Sequence, residues 1–287
     1  MYKKKKIQDS IPKPILIFGK ILQFFSLNAA TKFSILMFTT PFKHHLPNRE
    51  KTMFNTSIKS KFYVKSIKKT INIYKYGKSN RAILLVHGWS GRGTQLVKIA
   101  EQLIHSDYQT ISFDAPAHGL SQGKRTSMYD FIECIKEIDK SFGPFDALIG
   151  HSLGAMSVFN AMAKGVNCQT AIAISSGNSV RQIVNSFVNR MQLNPKISSK
   201  INTHFLKKFG ESMENYSAYI ACRNITKPIL LIHDLKDTDV PASASIEIDQ
   251  VLKHSTLLLT EGLGHRKILG DQVVINTIIQ FIMKNHI

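Results

Sequence analysis

The chain has 287 residues, 43% of them hydrophobic, which is enough for one large core and an appendage but hardly for two catalytic domains. Its three cysteines, Cys134, Cys168 and Cys222, are widely spaced and odd in number, so no disulfide framework or cysteine zinc site can be drawn, and a reducing, cytoplasmic setting fits best. The formal charge of +19 is concentrated rather than spread: residues 1–69 hold 15 Lys and Arg against only Asp9 and Glu50, so the rest of the chain is mildly basic and no nucleic-acid partner is expected.

At the N-terminus, Lys3-Lys4-Lys5-Lys6 precedes an apolar stretch over residues 15–38. Lys20 and Lys32 interrupt that stretch, and no small-residue cleavage site follows an unbroken apolar core, which argues against a membrane span or an export signal. Wound as one helix, it gathers Lys20, Gln23, Thr31 and Ser34 on a narrow face, while Ile17, Phe18, Ile21, Leu22, Phe25 and Leu36 cover the rest. Such a helix either docks on its own domain or lies on an anionic membrane surface, so peripheral membrane contact through residues 1–40 stays open. Residues 40–56, with Pro41 and Pro47, read as a linker, which makes residues 1–56 a basic N-terminal segment.

From residue 57 short apolar runs alternate with amphipathic stretches, the pattern of a doubly wound, mostly parallel α/β sheet covered by helices on both faces. Residues 62–67 and 70–76 form a hairpin, 82–86 a buried strand, 87–93 a loop, 94–106 a helix and 109–113 a strand. A helix follows over 127–142, with Phe131, Ile135 and Ile138 on one face, then a strand ending at Gly150 and a helix over 153–164. Strands at 170–174, 229–232 and 256–259 and a helix over 267–284 complete the domain of residues 57–287. Between 175 and 227 helical spacing replaces the strand rhythm, as in Val180, Ile183, Val184 and Phe187 and again in Ile197, Ile201, Phe205 and Phe209. This predicts a helical cap inserted at 176–226. Within it Phe187, Met191, Leu193 and Phe205 hint at an apolar acyl pocket and serve equally as helix-packing core.

The chemistry gathers around Gly150-His151-Ser152-Leu153-Gly154, a serine between glycines at a strand-to-helix turn. Alone, a G-x-S-x-G pattern arises by chance in about one chain in ten of this size. A serine hydroxyl also needs an imidazole to take its proton and a carboxylate to orient that imidazole. No Asp or Glu occurs between Ala147 and Gly210, so the first acid at a strand end lies in His233-Asp234-Leu235-Lys236-Asp237-Thr238-Asp239-Val240-Pro241. The next histidine at a strand end is His265, after Gly262 and Gly264. The order is Ser152, Asp237, His265, with Asp239 and then Asp234 as the other candidate acids.

With four separated matches, residues 60–287 resemble the α/β-hydrolase fold superfamily. These are Leu84-Leu85-Val86-His87-Gly88-Trp89; Phe113-Asp114-Ala115-Pro116-Ala117-His118-Gly119-Leu120-Ser121; the elbow; and His265. The resemblance implies an oxyanion hole built from the backbone N–H groups of Trp89 and Leu153, and the Val240-Pro241 pair favours Asp237 as the acid. Two departures stand out: Asp234 follows the strand histidine where the family often has glycine, and Ala117-His118-Gly119 replaces Gly-His-Gly. His87 and His118 are expected to hold loop backbone, and His151 to pack beside the serine. No metal or cofactor motif is present, so the expected reaction is cofactor-free hydrolysis of a small ester or thioester, through a Ser-His-Asp triad and an acyl-enzyme. A carboxylesterase acting on an apolar acyl substrate is the leading reading. Thioesterase, membrane-surface lipid hydrolase and a non-catalytic binding protein of the same fold are the alternatives.

Overall fold

A computed structural model describes residues 11–285; the tetralysine Lys3–Lys6 lies outside the described residues. In chain order the helices are α1 (Lys13–Phe25), α2 (Leu27–Thr39), α3 (Lys51–Thr56), α4 (Val97–His105), α5 (Met128–Phe142), α6 (Leu153–Ala163), α7 (Val180–Arg190), α8 (Lys196–Phe209), α9 (Ala218–Ala221), α10 (Ser243–Asp249), α11 (Gly264–Lys267) and α12 (Gln272–Lys284). The strands are β1 (Ile58–Val64), β2 (Lys69–Tyr76), β3 (Ala82–Val86), β4 (Gln109–Asp114), β5 (Phe145–His151), β6 (Cys168–Ile174), β7 (Ile229–Asp234) and β8 (Ser255–Thr260). They form one sheet in the order β1-β2-β4-β3-β5-β6-β7-β8. The β1–β2 and β2–β4 pairs are antiparallel and the others parallel, so the fold is a doubly wound α/β architecture.

The chain divides into two compact units. The larger, Thr40–Asn178 with Tyr216–Ile287, holds the whole sheet. Every residue of β3, β4 and β7 is buried, which explains the apolar runs at 82–86 and 229–232, whereas the edge strand β1 is mostly exposed and carries Lys59 and Lys61. On one face Ile83, Leu85, Ile149, Ile172, Leu230 and Ile232 pack with Val97, Ala100 and Leu103 of α4 and Val274, Ile275 and Ile278 of α12. The strand order reverses at β3, with β4 on one side and β5 on the other. Open α/β sheets place their ligands outside the carboxyl ends of the strands at such a reversal.

The smaller unit joins the residues up to Thr39 with Ser179–Asn215. The expected single N-terminal helix is instead two, because Ser26 is extended (φ −160°, ψ 118°) and its Oγ accepts from the Ala29 amide, capping α2. The narrow polar face turns toward the rest of the unit, with the Lys20 side chain still exposed at its edge. Lys20 Nζ donates to Gln192 at 2.6 Å, the Asn194 amide donates to Gln23 at 2.5 Å, and Thr31 and Ser34 are buried, bonding to their own helix backbone. Phe38 packs against Phe187 and Phe205, with centroids 5.1 and 6.3 Å apart, and Leu193 lies against Gly19. Met191, Leu193 and Phe205 are therefore buried in the unit's own core, and the hint of an acyl pocket lined by them and Phe187 is corrected to helix packing.

Three expected boundaries also move. Residues 40–56 are not a free linker separating a segment 1–56 from the rest. Met53 of α3 is fully buried in the sheet unit's core, and buried Glu50 accepts from Thr94 at 2.7 Å and pairs with Arg92 at 3.7 Å. The inserted part of the small unit is Ser179–Asn215 rather than 176–226, since residues from Tyr216 on bond back into the sheet unit through Asn160 and Asn178. The final helix begins later than residue 267, at Gln272, because Asp271 caps it by accepting from the Val274 amide.

Candidate active site

The register of β3 and β5 builds the site. Val86 pairs with Gly150, so the turns that follow, His87-Gly88-Trp89 and His151-Ser152, leave the sheet side by side. Ser152 has φ 55° and ψ −119°, a conformation that costs a non-glycine residue about 1–3 kcal/mol, and its amide donates to Ile174 at 2.9 Å. The flanking glycines allow that turn to close. A Cβ on Gly150 would sit 2.6 Å from the Ala155 amide, and one on Gly154 would sit 2.4 Å from the Val86 carbonyl oxygen. Both obstacles are backbone, so Gly154→Ala is expected to cost about 3 kcal/mol, a fall of roughly 10 °C in Tm measurable by differential scanning calorimetry.

The parallel β7–β8 pair, with Asp234 opposite Thr260, brings together the two loops that carry Asp237 and His265. Asp237 Oδ2 accepts from His265 Nδ1 at 2.7 Å, while its Oδ1 accepts from the amides of Asp239 and Val240 at 2.8 and 2.9 Å. A proton on Nδ1 leaves Nε2 of His265 free to act as a base. His265 lies beside the elbow: its carbonyl accepts from His151 Nε2 at 2.9 Å, and the two rings are 4.7 Å apart. The structure thus gathers His265 and Asp237 at the elbow that carries Ser152. Asp239 instead faces Arg266 at 3.9 Å, and Asp234 accepts from Thr260 Oγ1, Gly262 and Leu263, clamping the turn that carries His265.

Gly88 touches the elbow, since a Cβ there would lie 3.1 Å from Ser152 Cβ. In the loop it begins, the amides of Gly88, Ser90 and Gly91 are taken by Gln95, His118 and the Gly88 carbonyl. The Trp89 and Leu153 amides donate to no acceptor among the described residues, which leaves both available to a ligand oxygen. Asp114 holds this loop in place. Its buried carboxylate accepts from Gly93 at 2.7 Å, Leu120 at 2.8 Å and Tyr74 Oη at 2.8 Å. Among the described residues no group of three or more His, Cys, Asp or Glu side chains could hold a metal ion.

A family model described as the α/β hydrolase fold matches residues 81–197. The solved structures it resembles include the monoacylglycerol lipase of Paleococcus ferrophilus, at 19% identity over 75% of this chain and 99% of that one, with a TM-score of 0.59. The esterase Pf2001 of Pyrococcus furiosus is similar at 17% identity over 86% and 99%, with a TM-score of 0.65. Est1E of Butyrivibrio proteoclasticus, solved with ferulic acid bound, is similar at 17% over 78% and 98%, with a TM-score of 0.60. The chain has the α/β-hydrolase fold. No curated protein matches its sequence.

In this α/β-hydrolase fold the charges around the elbow are set by burial. For Asp237 burial alone would raise the carboxyl's pKa. The hydrogen bonds from His233 and His265, the charge of His265 and the Val240 amide outweigh it and hold the carboxyl well below the ordinary carboxylate range. His233, which carried no expected role, is fully buried with Nδ1 against Ser245 Oγ at 2.7 Å and Nε2 3.4 Å from Asp237 Oδ2. A histidine closing a β-strand four residues before the acid was its only sequence signal.

Three further buried histidines are held neutral. Burial lowers His87 well below its usual value, His118 to about 4 and His151 to about 3. Each carries its ring proton toward a carbonyl: His87 Nδ1 toward Gly88, His118 Nδ1 toward Pro116 and His151 Nε2 toward His265. In His87 and His118 the other nitrogen accepts a loop amide, Ala115 or Ser90, so protonation breaks a bond that shapes the loop. Because these pKa values are lower in the folded chain than in the unfolded one, the stability they confer is complete above about pH 6.5 and is lost as the pH falls toward 4. Each contributes about 1.4 kcal/mol per pH unit in that window. His118→Gln is expected to flatten the dependence by that amount, as read from urea midpoints measured between pH 4 and pH 7.

Proposed function

We propose that this protein is a serine hydrolase that cleaves carboxylic esters through an acyl-enzyme. The observation that carries this reading is the 2.7 Å bond from His265 Nδ1 to a buried, ionised Asp237, beside a serine held at positive φ between two amides free to meet an oxyanion. Ser152 Oγ attacks the carbonyl carbon while its proton passes to His265 Nε2, and Asp237 stabilises the imidazolium that forms. The developing oxyanion is met by the Leu153 and Trp89 amides, each worth about 3 kcal/mol in the transition state. Collapse expels the alkoxide, which takes the proton from His265 and leaves the acyl group on Ser152. Water then attacks the acyl carbon with His265 again as base, releasing the carboxylic acid and restoring the serine.

The lipase and the esterase among the similar structures support an ester as the substrate class. The test is a chain-length series of p-nitrophenyl esters run beside acyl-CoA thioesters. Turnover of esters with kcat/KM at least tenfold above the matched thioesters is expected, and the chain length of the best ester reads the acyl preference. Preference for thioesters, or no turnover of either, would overturn the reading.

A further inference from the structure

Surface helices ordinarily bury their apolar stripe and show their polar face to water. Helix α1 does the reverse. Its polar positions Lys20 and Gln23 and its small residue Gly19 face Gln192, Asn194 and Leu193 of the same unit. Ile17, Phe18, Ile21, Phe24 and Phe25 point outward, at 58, 50, 49, 85 and 78% exposure. At 100° per residue these five occupy an arc of about 120°, a continuous greasy ridge, with Lys13 and Lys20 along one edge. A patch of this kind marks an interaction surface.

Charge narrows the occupant. Between Ser10 and Arg49 there is no acidic residue, Lys13, Lys20 and Lys32 are exposed, and the sequence just upstream carries Lys3–Lys6. A second copy seated on the ridge would bring like charges together with no acid in the segment to pair them. A bilayer with anionic headgroups offers what the ridge lacks, an apolar layer for the phenylalanines beneath a negative plane for the lysines. No helix among the described residues is long and apolar enough to cross a membrane, so the mode is interfacial, with the 13-residue α1 lying in the headgroup plane. We propose that the exposed face of α1 docks this protein on anionic lipid bilayers. Docking is independent of the chemistry at Ser152.

Flotation of the full chain tests it, with phosphatidylcholine vesicles and with mixed phosphatidylcholine–phosphatidylglycerol vesicles. The wild type is expected to float with the mixed vesicles and much less with the neutral ones. Phe24→Ser combined with Phe25→Ser, both at exposed positions, is expected to lower the partition coefficient on the order of a hundredfold with Tm unchanged. Lys13→Glu combined with Lys20→Glu is expected to erase the preference for anionic lipid. Wild type remaining at the bottom of the gradient, equal flotation on neutral vesicles, or a Phe variant that floats like wild type would each overturn the proposal. So would a wild-type dimer in sedimentation that the Phe variant dissolves while vesicle binding is absent, since the ridge would then belong to a second copy.

Discussion

Ser152→Ala is expected to lower kcat for ester hydrolysis by roughly five to six orders of magnitude, because the alanine keeps the turn but removes the only atom able to carry the acyl group. Steady-state kinetics against the best p-nitrophenyl ester reads this, and a loss below a hundredfold would mean another group is the nucleophile. The companion substitution separates chemistry from fold. Ser152 sits at φ 55° on an elbow whose amide bond to Ile174 survives any side chain, so Ser152→Gly should be equally inactive yet more stable by about 1 kcal/mol. A gain in Tm together with a loss of activity is what a backbone strained for function produces.

Asp237→Asn is the second large effect, expected to reduce kcat by roughly ten-thousandfold with KM little changed. The amide can present an N–H toward Nδ1 of His265, favouring the tautomer that places the proton on Nε2, where a base is needed. Stability should fall as well, by about 2 kcal/mol at neutral pH, since the carboxylate serves His265, His233 and two amides from a position closed to solvent. The sign of the pH effect follows from the depressed pKa. The contribution of Asp237 is present above the unfolded value of about 3.9 and is lost as the pH falls through the folded one, so the gap between wild type and variant should be widest near neutrality and close in acid. The pH profile of urea midpoints for both proteins measures that gap, and a gap that widens in acid would contradict the assignment of an ionised Asp237.

The central strands were legible because β3 and β7 are buried on both faces and so appear as short apolar runs at 82–86 and 229–232. The elbow was legible because close backbone approach demands glycine at Gly150 and Gly154. What escaped a linear reading was settled by partners distant in sequence. The burial of Glu50 and Met53, which turns a proline-bearing stretch into part of the sheet unit, depends on Thr94, Arg92 and the core. The apolar residues of the insertion carry no mark telling substrate from neighbouring helix, and it is Phe38, about 150 positions upstream, that occupies Phe187 and Phe205. Of Asp234 at the end of β7 and Asp237 and Asp239 beyond it, only the neighbouring Val240-Pro241 pair favours one, Asp237, in the sequence. The strand register and the turn at Gly262 and Gly264 distribute them between His265, the loop backbone and Arg266.

The proposed mechanism requires Ser152 to be an activated nucleophile. Incubation of the folded protein with a fluorophosphonate probe, followed by peptide mass mapping, tests it most directly. One adduct per chain on Ser152 is expected, absent in Ser152→Ala and slowed in Asp237→Asn. No adduct on folded wild type, or an adduct of equal yield on Ser152→Ala, would contradict it.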